Sequence, residues 1–504
     1  MTIRSALSLH LLLMYKIPML LYDTKTVYEM DRAAVVTDGL KEIELMRRAG
    51  QRVWQEISVR WPEVSCVTIF AGSGNNGGDA YVIALAARAG GVGVQLISQG
   101  DLANQSETSA YFREQWQAVG AEILPWKQQA IRGELIVDGL LGIGLTRELD
   151  KNWQSLIHAI NKKSALRVAI DIPSGLNANN GMAEPCAVNA DLTVTFIGAK
   201  TGQLLADGPD YCGELIFDDL GTSFRIGENQ VPSLIVLDRG NIKFPAKRKR
   251  NSHKNAFGHL LVIGGDKGMV GAVSLAAQAA LRSGAGLVTA LVHPDCAHSL
   301  SAIPELMVLG WDSLDEKLEQ ADIILVGPGL GASQAARDCL EKIQGCKKPV
   351  VVDAGALDAG FLLALASDQV VITPHPGEAA SLLSTKSAEI QSDRLLASDQ
   401  LADRFGMVSV LKGSGSIVQQ PGSIPVINIR GNPGMASAGM GDVLAGMIAA
   451  LLGQGLSPFD AAKTAVLVHA LGAEDYATDS DESGLIASDI VQRIPRLVKR
   501  LREV

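Results

Sequence analysis

An aspartate that directly follows a glycine-rich stretch could do acid–base chemistry. Asp442 comes after Gly439 and Gly441 in residues 429–447, which read IRGNPGMASAGMGDVLAGM. Apolar residues recur at helical spacing beyond Asp442, so we expect a helix to begin near Gly441. The unpaired N–H groups and the positive dipole end of a helix N-terminus favour an anion, most naturally phosphate. Asp442 either caps this helix or takes a proton from a hydroxyl that attacks the phosphate.

Three loops that follow predicted strands in the first half carry further candidates. These loops read GSGNNGGD, DGLLGIGLTRE and DIPSGLN. One residue of the pair Asn75–Asn76, together with Asp138 and Ser174, offers oxygen ligands of low charge, which suit an alkali or alkaline-earth cation rather than zinc. Asp171, in the third loop, either contacts a substrate or orders the turn that follows it.

Polar side chains also follow the predicted strands of the second half. Lys412–Ser416 reads KGSGS and offers backbone amides, two hydroxyls and one cation, which suit a nucleotide but lack the spacing of a P-loop. His375 lies between two prolines that hold the backbone extended, and we expect it to contact a substrate, although a lone histidine is more often structural. Glu378 is a candidate outer-sphere ligand of Mg²⁺, and Asp353 either serves the same metal or orients the cleft.

The elements that must position these residues alternate between strands and helices, which predicts an α/β protein with two three-layer αβα domains and parallel sheets. In the first half, we expect helices over residues 22–54, Ala80–Ala89 and 106–119, and a loop over Ala71–Asp79. Strands are expected at Val67–Phe70, Val92–Ile97, Leu135–Val137, Arg167–Ile170, Leu192–Phe196 and Glu214–Phe217. In the second half, Val270–Arg282 is a helix and strands are expected at His259–Ile263, Leu287–Val292, Ile323–Val326, Val350–Val352, Val370–Ile372 and Val408–Leu411. Ligands of such sheets bind at the C-terminal ends of the strands.

Size, charge and cysteine usage narrow the class of protein. The chain has 504 residues, which is too long for one ordinary core, and its net charge of −9 argues against nucleic acid as the main partner. Its six cysteines form no CxxC pair, so we expect reduced thiols and a cytoplasmic protein. Residues 1–21 form an extra apolar segment that is too short to span a bilayer, and no other stretch is apolar enough, so we expect no membrane partner.

A segment between the two halves, residues 226–251, loses periodicity and is predicted to be a linker. It contains the basic run Lys247–Arg250, which reads KRKR. Such a run invites a nucleic-acid or targeting interpretation, but on an acidic chain a solvated connection between domains is the simpler one.

The loops of the first half, in the strings NNGGD, DGLLGIGL and DIPSG, resemble the YjeF N-terminal domain, the NAD(P)H-hydrate epimerase, from about Tyr22 to Gly221. The resemblance implies a Rossmann-like fold and a potassium ion held by Asn76, Asp138 and Ser174. It implies that Asp171 touches the substrate near the reacting carbon, with Lys200 a weaker candidate. Further substrate contacts are implied at Asn75, Asn76, Gly77, Gly78, Asp79, Gly142, Ile143, Gly144, Leu145, Thr146, Arg147 and Glu148.

The second half contains VIGG, GPGLG, VVDAGAL, TPHPGE, KGSGS and GNPGMASAGMGD in that order. It resembles the carbohydrate-kinase-related NAD(P)H-hydrate dehydratase family, of ribokinase-like fold, from about Ser252 to Lys499. Three departures from the family pattern are mild: Asn255 replaces a Gly, and Ser416 and Met440 stand where Thr is common. The resemblance implies substrate contacts at Ala272, Gly329, His375 and Asp442, and nucleotide contacts at Lys412, Gly413, Ser414, Gly415, Ser416 and Gly441.

Together the two resemblances imply a bifunctional enzyme that repairs the hydrated cofactors NADHX and NADPHX. The domain at 22–225 would interconvert the R and S epimers, and the domain at 252–504 would dehydrate the S form with Mg²⁺ and ADP, giving AMP and phosphate. The spacing of residues does not distinguish ADP from ATP. We also expect a homo-oligomer.

Two alternatives stand beside this interpretation. A small-molecule kinase of the ribokinase type would release a stable phosphorylated product. A non-catalytic binding protein would have no need of both Asp171 and Asp442 within their loops.

Overall fold

The computed structural model describes residues 20–145, 148–183, 185–222 and 230–503. The chain divides into two compact units, Met1–Leu234 and Ile235–Val504. This division falls inside the segment 226–251, where a short strand, Leu234–Val236, is found. Thr146, Arg147 and residues 1–19, which were subjects of prediction, lie outside the described residues.

The first unit is built on a parallel sheet. Seven strands pair in the spatial order Leu124–Pro125, Gly93–Ser98, Cys66–Ala71, Leu135–Gly139, Leu166–Ile170, Leu192–Phe196 and Glu214–Asp218. Outside these seven strands, Leu20–Tyr22 pairs in parallel with Ala199–Lys200. The described helices of this unit are Thr24–Val36, Glu42–Arg60, Asn75–Ala89, Glu107–Ala118, Lys151–Lys162 and Gly208–Cys212.

Side chains of successive strand residues reach helices on opposite faces of this sheet, as the period of two requires. Ile69 belongs to an apolar cluster that includes Val53 and Trp116, from helices on one face. Its neighbour Phe70 packs instead in a cluster with Trp153 and Leu156, from the helix Lys151–Lys162. The unit is therefore a three-layer sandwich, and the predicted α/β class is confirmed.

Two helical regions in this unit were predicted with wrong bounds. Residues 22–54, expected to be helical, start in the strand Leu20–Tyr22 and divide into the helices Thr24–Val36 and Glu42–Arg60. The loop expected over Ala71–Asp79 is shorter, because the helix begins at Asn75 and includes NNGGD. Glycine in a helix costs up to about 1 kcal/mol relative to alanine, which is why the sequence favoured a loop. Close packing reverses that preference: a Cβ at Gly77 would lie 2.0 Å from Gly72 O, and a Cβ at Gly78 would lie 2.4 Å from Met46 Sδ.

The second unit contains a longer sheet. Its strands pair in the spatial order Met307–Gly310, Leu287–Val292, His259–Ile263, Ile323–Val326, Val350–Val352, Val370–Ile372, Val408–Leu411, Ser416–Gln419, Val426–Asn428 and Leu234–Val236. All these pairings are parallel except those of Ser416–Gln419, which runs antiparallel to both neighbours. The six strands predicted from the sequence pair in parallel, as expected. Ser416–Gln419, which was not predicted, runs antiparallel because the short KGSGS connection turns the chain straight back along Val408–Leu411 and leaves no room for a crossover helix.

Helices cover both faces of this second sheet. The described helices are Val270–Arg282, Leu314–Gln320, Gln334–Gln344, Ala359–Ala364, Pro376–Leu383, Ser387–Ser392, Arg394–Phe405, Met440–Gly453, Pro458–Ala477 and Ala487–Glu503. Ile263 and Ile324 pack with residues of Gln334–Gln344 and Arg394–Phe405 on one face. On the strands' other side, the alanine-rich helix Val270–Arg282 packs against Met440–Gly453, where a Cβ at Gly446 would lie 2.1 Å from Ala276 O. The small residues Ala276 and Gly446 thus allow these two helices of the same chain to pack closely together.

Within the described part of the chain, none of the helices combines the length and the apolarity needed to cross a bilayer.

Candidate active sites

Asp171 stands at the end of a parallel strand of the first unit, with its backbone in the left-handed region at φ 64°. Its carboxylate accepts hydrogen bonds from Thr195 Oγ1 at 3.0 Å and Phe196 N–H at 3.3 Å, and it forms an ion pair with Lys200. The Lys200 side chain is 1% exposed, and its Nζ also donates to Thr195 Oγ1 at 3.0 Å. None of these three partners belongs to the turn that follows Asp171. The carboxylate is therefore held toward Lys200 and does not order that turn through these contacts.

Further acids face this ion pair. Burial raises the pKa of Asp31 to about 6, with Lys200 opposing the shift and Asp171 reinforcing it. Burial, and then the charges of Asp171 and Asp31, raises the pKa of Asp79 well above its ordinary value. Burial, and then the same two aspartates, raises the pKa of Tyr28. Three carboxyl groups and one lysine therefore share a site of low dielectric, an arrangement that suits proton transfer.

The residues of the first unit that were predicted to contact the substrate differ in their contacts and in their exposure. A Cβ at Gly144 would be 3.1 Å from Tyr28 Oη, and Asn75 Oδ1 accepts a hydrogen bond from Ser106 Oγ at 3.0 Å. Glu148 is exposed, and Thr146 and Arg147 lie outside the described residues. The remaining predicted positions are buried or half-buried: Asn76, Gly77, Gly78, Asp79, Gly142, Ile143 and Leu145.

The three predicted cation ligands of the first unit come together. Ser174 Oγ donates to Asp138 Oδ1 at 2.6 Å, and Ser174 N–H donates to Asp138 Oδ2 at 2.8 Å. Asn76 Nδ2 donates to Leu141 O at 2.9 Å, and Leu141 N–H donates to Ser174 Oγ at 2.8 Å. Asp138 is fully buried and forms no ion pair with a described lysine or arginine, and burial raises its pKa to about 6 despite the Ser174 hydrogen bonds. A bound cation would stabilise this otherwise uncompensated carboxylate.

Asp442 lies in the first turn of the helix Met440–Gly453, whose N-cap is Gly439 in the left-handed conformation at φ 87°. Among the described side chains, none accepts a capping hydrogen bond at this terminus. Asp442 instead lines a cavity of about 430 Å³, together with the predicted substrate residues Ala272 and Gly329. The helix terminus, the cavity and the carboxylate therefore meet at one place, which capping alone does not require.

Lys412 lies among the carboxylates beside this helix terminus. Its Nζ is 2.8 Å from Asp353 Oδ1 and 3.7 Å from Glu378 Oε2, and a Cβ at Gly441 would lie 3.2 Å from it. Burial alone would lower the pKa of Lys412, but Asp353 and Glu378 outweigh burial and raise it. Burial, and then the charge of Asp353, raises the pKa of Asp442 to about 6 against the attraction of Lys412. The site thus holds a fixed cation beside a carboxyl group whose pKa is raised to about 6.

Asp353 has a structural task in this arrangement. Its side chain is 1% exposed, and Oδ1 accepts hydrogen bonds from Thr373 Oγ1 at 2.7 Å and Lys412 Nζ at 2.8 Å. Of the two roles left open by the sequence, orientation of the cleft is the one that these contacts favour.

The predicted nucleotide loop is organised by an arginine that the sequence did not indicate. Arg394 is 4% exposed, and its NH2 group donates to the carbonyl oxygens of Leu411, Lys412 and Gly415 at 3.2–3.3 Å. Burial lowers the pKa of Arg394 to about 10. Ser416 belongs to the following strand, and its Oγ donates to Gly413 O at 3.0 Å. Gly413 and Gly415 adopt φ 141° and 68°, which explains why glycine occupies both positions.

His375 sits at the N-cap of the helix Pro376–Leu383. Its Nδ1 accepts hydrogen bonds from the N–H groups of Gly377 and Glu378 at 3.0 and 3.2 Å, while Glu378 Oε2 accepts from His375 N–H at 2.7 Å. This reciprocal cap accounts for Nδ1 and leaves Nε2 at the half-exposed edge, 3.4 Å from Glu378 Oε1. Because Glu378 contacts Lys412, His375 adjoins the same site without lining the cavity of Asp442.

Comparison with known sequences now decides the family. Residues 42–202 match the family described as YjeF-related protein N-terminus, and residues 260–496 match the family described as NAD(P)H-hydrate dehydratase. The chain is 40% identical over 487 residues to the bifunctional NAD(P)H-hydrate repair enzyme Nnr of Coxiella burnetii, covering 95% of this chain and 99% of that protein. It is 41% identical over 479 residues to the enzyme of the same name from Escherichia coli, covering 93% and 92%. The chain belongs to the family of bifunctional NAD(P)H-hydrate repair enzymes.

A solved structure is similar to one half of this family member. It is described as the ADP/ATP-dependent NAD(P)H-hydrate dehydratase from Bacillus subtilis, co-crystallized with ATP/Mg²⁺. It is 28% identical, covers 52% of this chain and 99% of its own, and has a TM-score of 0.47.

The sites of this family member contain three residues that sequence reasoning missed. Tyr28 and Asp31 lie on the helix Thr24–Val36, whose buried face carries Val27. Asp31 is four residues beyond Val27, so a carboxylate in the apolar stripe was a signal that could have found it. Arg394 gave no such signal, because an arginine in the first turn of a helix resembles many exposed ones.

Proposed function

We propose that this chain carries out both repair steps, epimerisation of NADHX and NADPHX in the first unit and nucleotide-dependent dehydration of the S epimer in the second. One observation carries the proposal for dehydration: Asp442 combines a helix N-terminus, an adjacent lysine, a pKa of about 6 and a cavity of about 430 Å³. That combination suits transfer of a phosphoryl group to a hydroxyl on a small molecule.

In the dehydration step, Asp442 would accept the proton of the ring hydroxyl as the hydroxyl oxygen attacks the terminal phosphoryl group of the nucleotide. The N–H groups at the start of Met440–Gly453 and the Lys412 ammonium face the negative charge that develops there. The C6–O bond then breaks as phosphate leaves, C5 gives up a proton to solvent, and the C5–C6 double bond of the dihydropyridine is restored. We propose ADP as the donor, giving AMP and phosphate.

The second unit also suits a magnesium ion that arrives with the nucleotide. The described residues contain no group of three His, Cys, Asp or Glu side chains placed to hold a metal, and Oδ1 of Asp353 already accepts hydrogen bonds from Thr373 and Lys412. Mg²⁺ commonly keeps several waters and binds through substrate phosphates and one or two carboxylates. Glu378 and Asp442 would meet such a hydrated ion, which neutralises phosphate charge when bound.

In the epimerisation step, inversion at C6 requires a bond of that carbon to break and re-form. The hydroxyl loses its proton as the C6–N1 bond opens to an aldehyde, and the nitrogen then adds to the other face of C6 while the oxygen regains the proton. Asp171 is held by Lys200 and Thr195, and Asp31 adds a carboxyl group with a pKa of about 6 beside it. We assign Asp171 the contact with the substrate, while Lys200 fixes its orientation. Gly144 and Tyr28 would border the bound ring.

A potassium ion fits Asn76, Asp138 and Ser174, because they present oxygens with a single negative charge. Replacing K⁺ by Na⁺ should therefore slow epimerisation, and Asp138→Asn should raise the K⁺ concentration for half-maximal rate by roughly tenfold or more. Epimer exchange measured by NMR at varied K⁺ checks this, with the exposed Asp191→Asn as the control variant. Equal rates in both ions would contradict the assignment.

The pH dependence of dehydration should report Asp442. Because its pKa is raised to about 6, the base is ionised above that pH and protonated below it. We expect kcat/KM for dehydration to be half-maximal near pH 6 and to fall about tenfold for each further unit of pH decrease. Initial rates with pure S epimer between pH 5 and about 8 measure this, and a profile that stays flat down to pH 5 would rule out Asp442 as the base.

Arg394 should act on nucleotide binding rather than on chemistry. Arg394→Met removes the donors that hold the carbonyls of Leu411, Lys412 and Gly415 in and beside the KGSGS turn, so the KM for nucleotide should rise by about tenfold or more while kcat changes less. Arg404→Met, on the same helix Arg394–Phe405, is the control. Equal losses in kcat and kcat/KM would show that Arg394 supports the fold in general.

The whole proposal is tested by recovery of reduced-nicotinamide absorbance from a mixed-epimer NADHX sample, with Mg²⁺, K⁺ and either ADP or ATP. Full recovery with one nucleotide supports both activities, because dehydration alone would stop when the S form is consumed. A stable phosphorylated product without recovery would instead support a small-molecule kinase.

We further propose that the enzyme works in the cytoplasm as a homo-oligomer. All six cysteines are free, which suits a reducing compartment. Light scattering of the purified chain measures the number of subunits, and a monomer at micromolar concentration would contradict the oligomer.

A further inference from the structure

A second cavity of the second unit has a wall rich in positive charge. Its volume is about 430 Å³, within the range of small-molecule sites. It shares no lining residue with the cavity of Asp442. The residues that matter for its chemistry are Arg239, Lys243, Phe244, Lys247, Leu456 and Arg502. We call it the basic cavity.

Two arginines of the basic cavity are held in place by the backbone. Arg239 Nε donates to Leu501 O, and Arg502 NH2 donates to Pro245 O at 3.1 Å. Both guanidinium groups also lie against Phe244, each with Cζ 5.4 Å from the ring centroid. Cations fixed in this way lose little freedom when they bind a ligand, unlike arginines on a solvated surface.

Three of the four positive charges of the basic cavity have no negative partner within the described residues. Among the described residues, no carboxylate lies within ion-pair distance of Arg239, Lys247 or Arg502, and Lys243 shares Asp460 with Lys463. Arg502 Nε is buried and has no hydrogen-bond partner in the described part of the chain. Burial, and then the charge of Arg248, lowers the pKa of Arg502, as expected of a cation without a counter-ion.

We propose that the basic cavity binds a small phosphorylated anion. Guanidinium forks and lysines are the groups that bind phosphate oxygens, and Phe244 with Leu456 supplies an apolar wall for the rest of such a molecule. The concave shape and the net charge of −9 for the chain favour a small ligand over nucleic acid. Part of the KRKR run thus serves this site, through Lys247.

Titration calorimetry of the full chain with inorganic pyrophosphate tests the proposal. Wild-type protein should bind pyrophosphate at this cavity, and the Kd should rise by about tenfold or more in the double variant Lys243→Gln/Lys247→Gln. Both side chains are exposed, so the variant should fold normally and keep epimerisation and dehydration. Arg502→Gln should raise the Kd for pyrophosphate in the same way.

The basic run itself supplies the matched control. Lys249→Gln/Arg250→Gln removes the same charge from exposed residues that do not line the cavity, and it should leave pyrophosphate binding unchanged. Equal weakening by both double variants would overturn the proposal in favour of diffuse attraction. Unchanged binding in Lys243→Gln/Lys247→Gln would also overturn it, as would tighter binding of a single-stranded RNA oligonucleotide through the same residues.

Discussion

Asp442→Asn should abolish dehydration of the S epimer while leaving epimerisation intact. Asn keeps the size of the side chain but cannot accept the proton of the attacking hydroxyl, and loss of a general base costs about 10²–10⁴ in rate. Absorbance recovery from pure S epimer with Mg²⁺ and nucleotide measures the loss. Epimer exchange in the same sample is the internal control, since Asp171 and Asp442 belong to different units of the chain.

The same variant should not be less stable at pH 7. The pKa of Asp442 is higher in the folded chain than its ordinary value, so its ionised form is disfavoured by folding, and this cost applies above pH 6 and fades as the pH falls below it. Asn carries no charge and avoids repulsion from Asp353 and Glu378. Thermal unfolding checks this expectation, and dehydration at the wild-type rate would remove Asp442 from its proposed role.

Asp171→Asn should slow epimerisation by about 10²–10⁴ and leave dehydration unaffected. Asn is the appropriate replacement because Asp171 has φ 64°, a conformation that Asn tolerates better than Ala. Asp171→Ala should also slow only epimerisation, but with added backbone strain and with Lys200 left buried beside a missing partner. Exchange between the two epimers by NMR is the measurement.

Comparing the Asp171→Asn variant with the Asp442→Asn variant tests whether the two activities use separate sites. If Asp171→Asn also stopped dehydration of pure S epimer in a folded protein, the assignment of separate sites would be wrong. Circular dichroism and thermal unfolding distinguish that outcome from loss of the fold.

The sequence determined the architecture because hydrophobic period and strand-end loops are local signals. Strand bounds such as His259–Ile263, Leu287–Val292 and Leu192–Phe196 agree between pattern and structure. The helix after the GMGD motif begins at Met440, one residue before the expected position. Chain order alone also placed Asp171 and Asp442 at strand or helix ends, where side chains of an α/β sheet converge.

Local signals failed where distant contacts compensate an unfavourable preference. The helix from Asn75 includes two glycines because Gly72 and Met46 approach too closely for any side chain. The antiparallel strand Ser416–Gln419 was missed for another reason: it has only four residues, too few to show a periodic pattern, although it pairs with both of its neighbours along the chain.

The electrostatics of both sites were decided by tertiary structure. From the sequence, Asp442 could be a helix cap or a catalytic base, and His375 a structural residue or a substrate contact. In the folded chain, Gly439 is the cap and Asp442 faces the cavity, while Nδ1 of His375 caps its own helix. Burial and neighbouring charges set the pKa of Asp442 and Asp31, and both depend on residues far away in the sequence. Residue types and their order thus determined the family chemistry, and three-dimensional packing decided which side chains are charged, fixed and accessible to perform it.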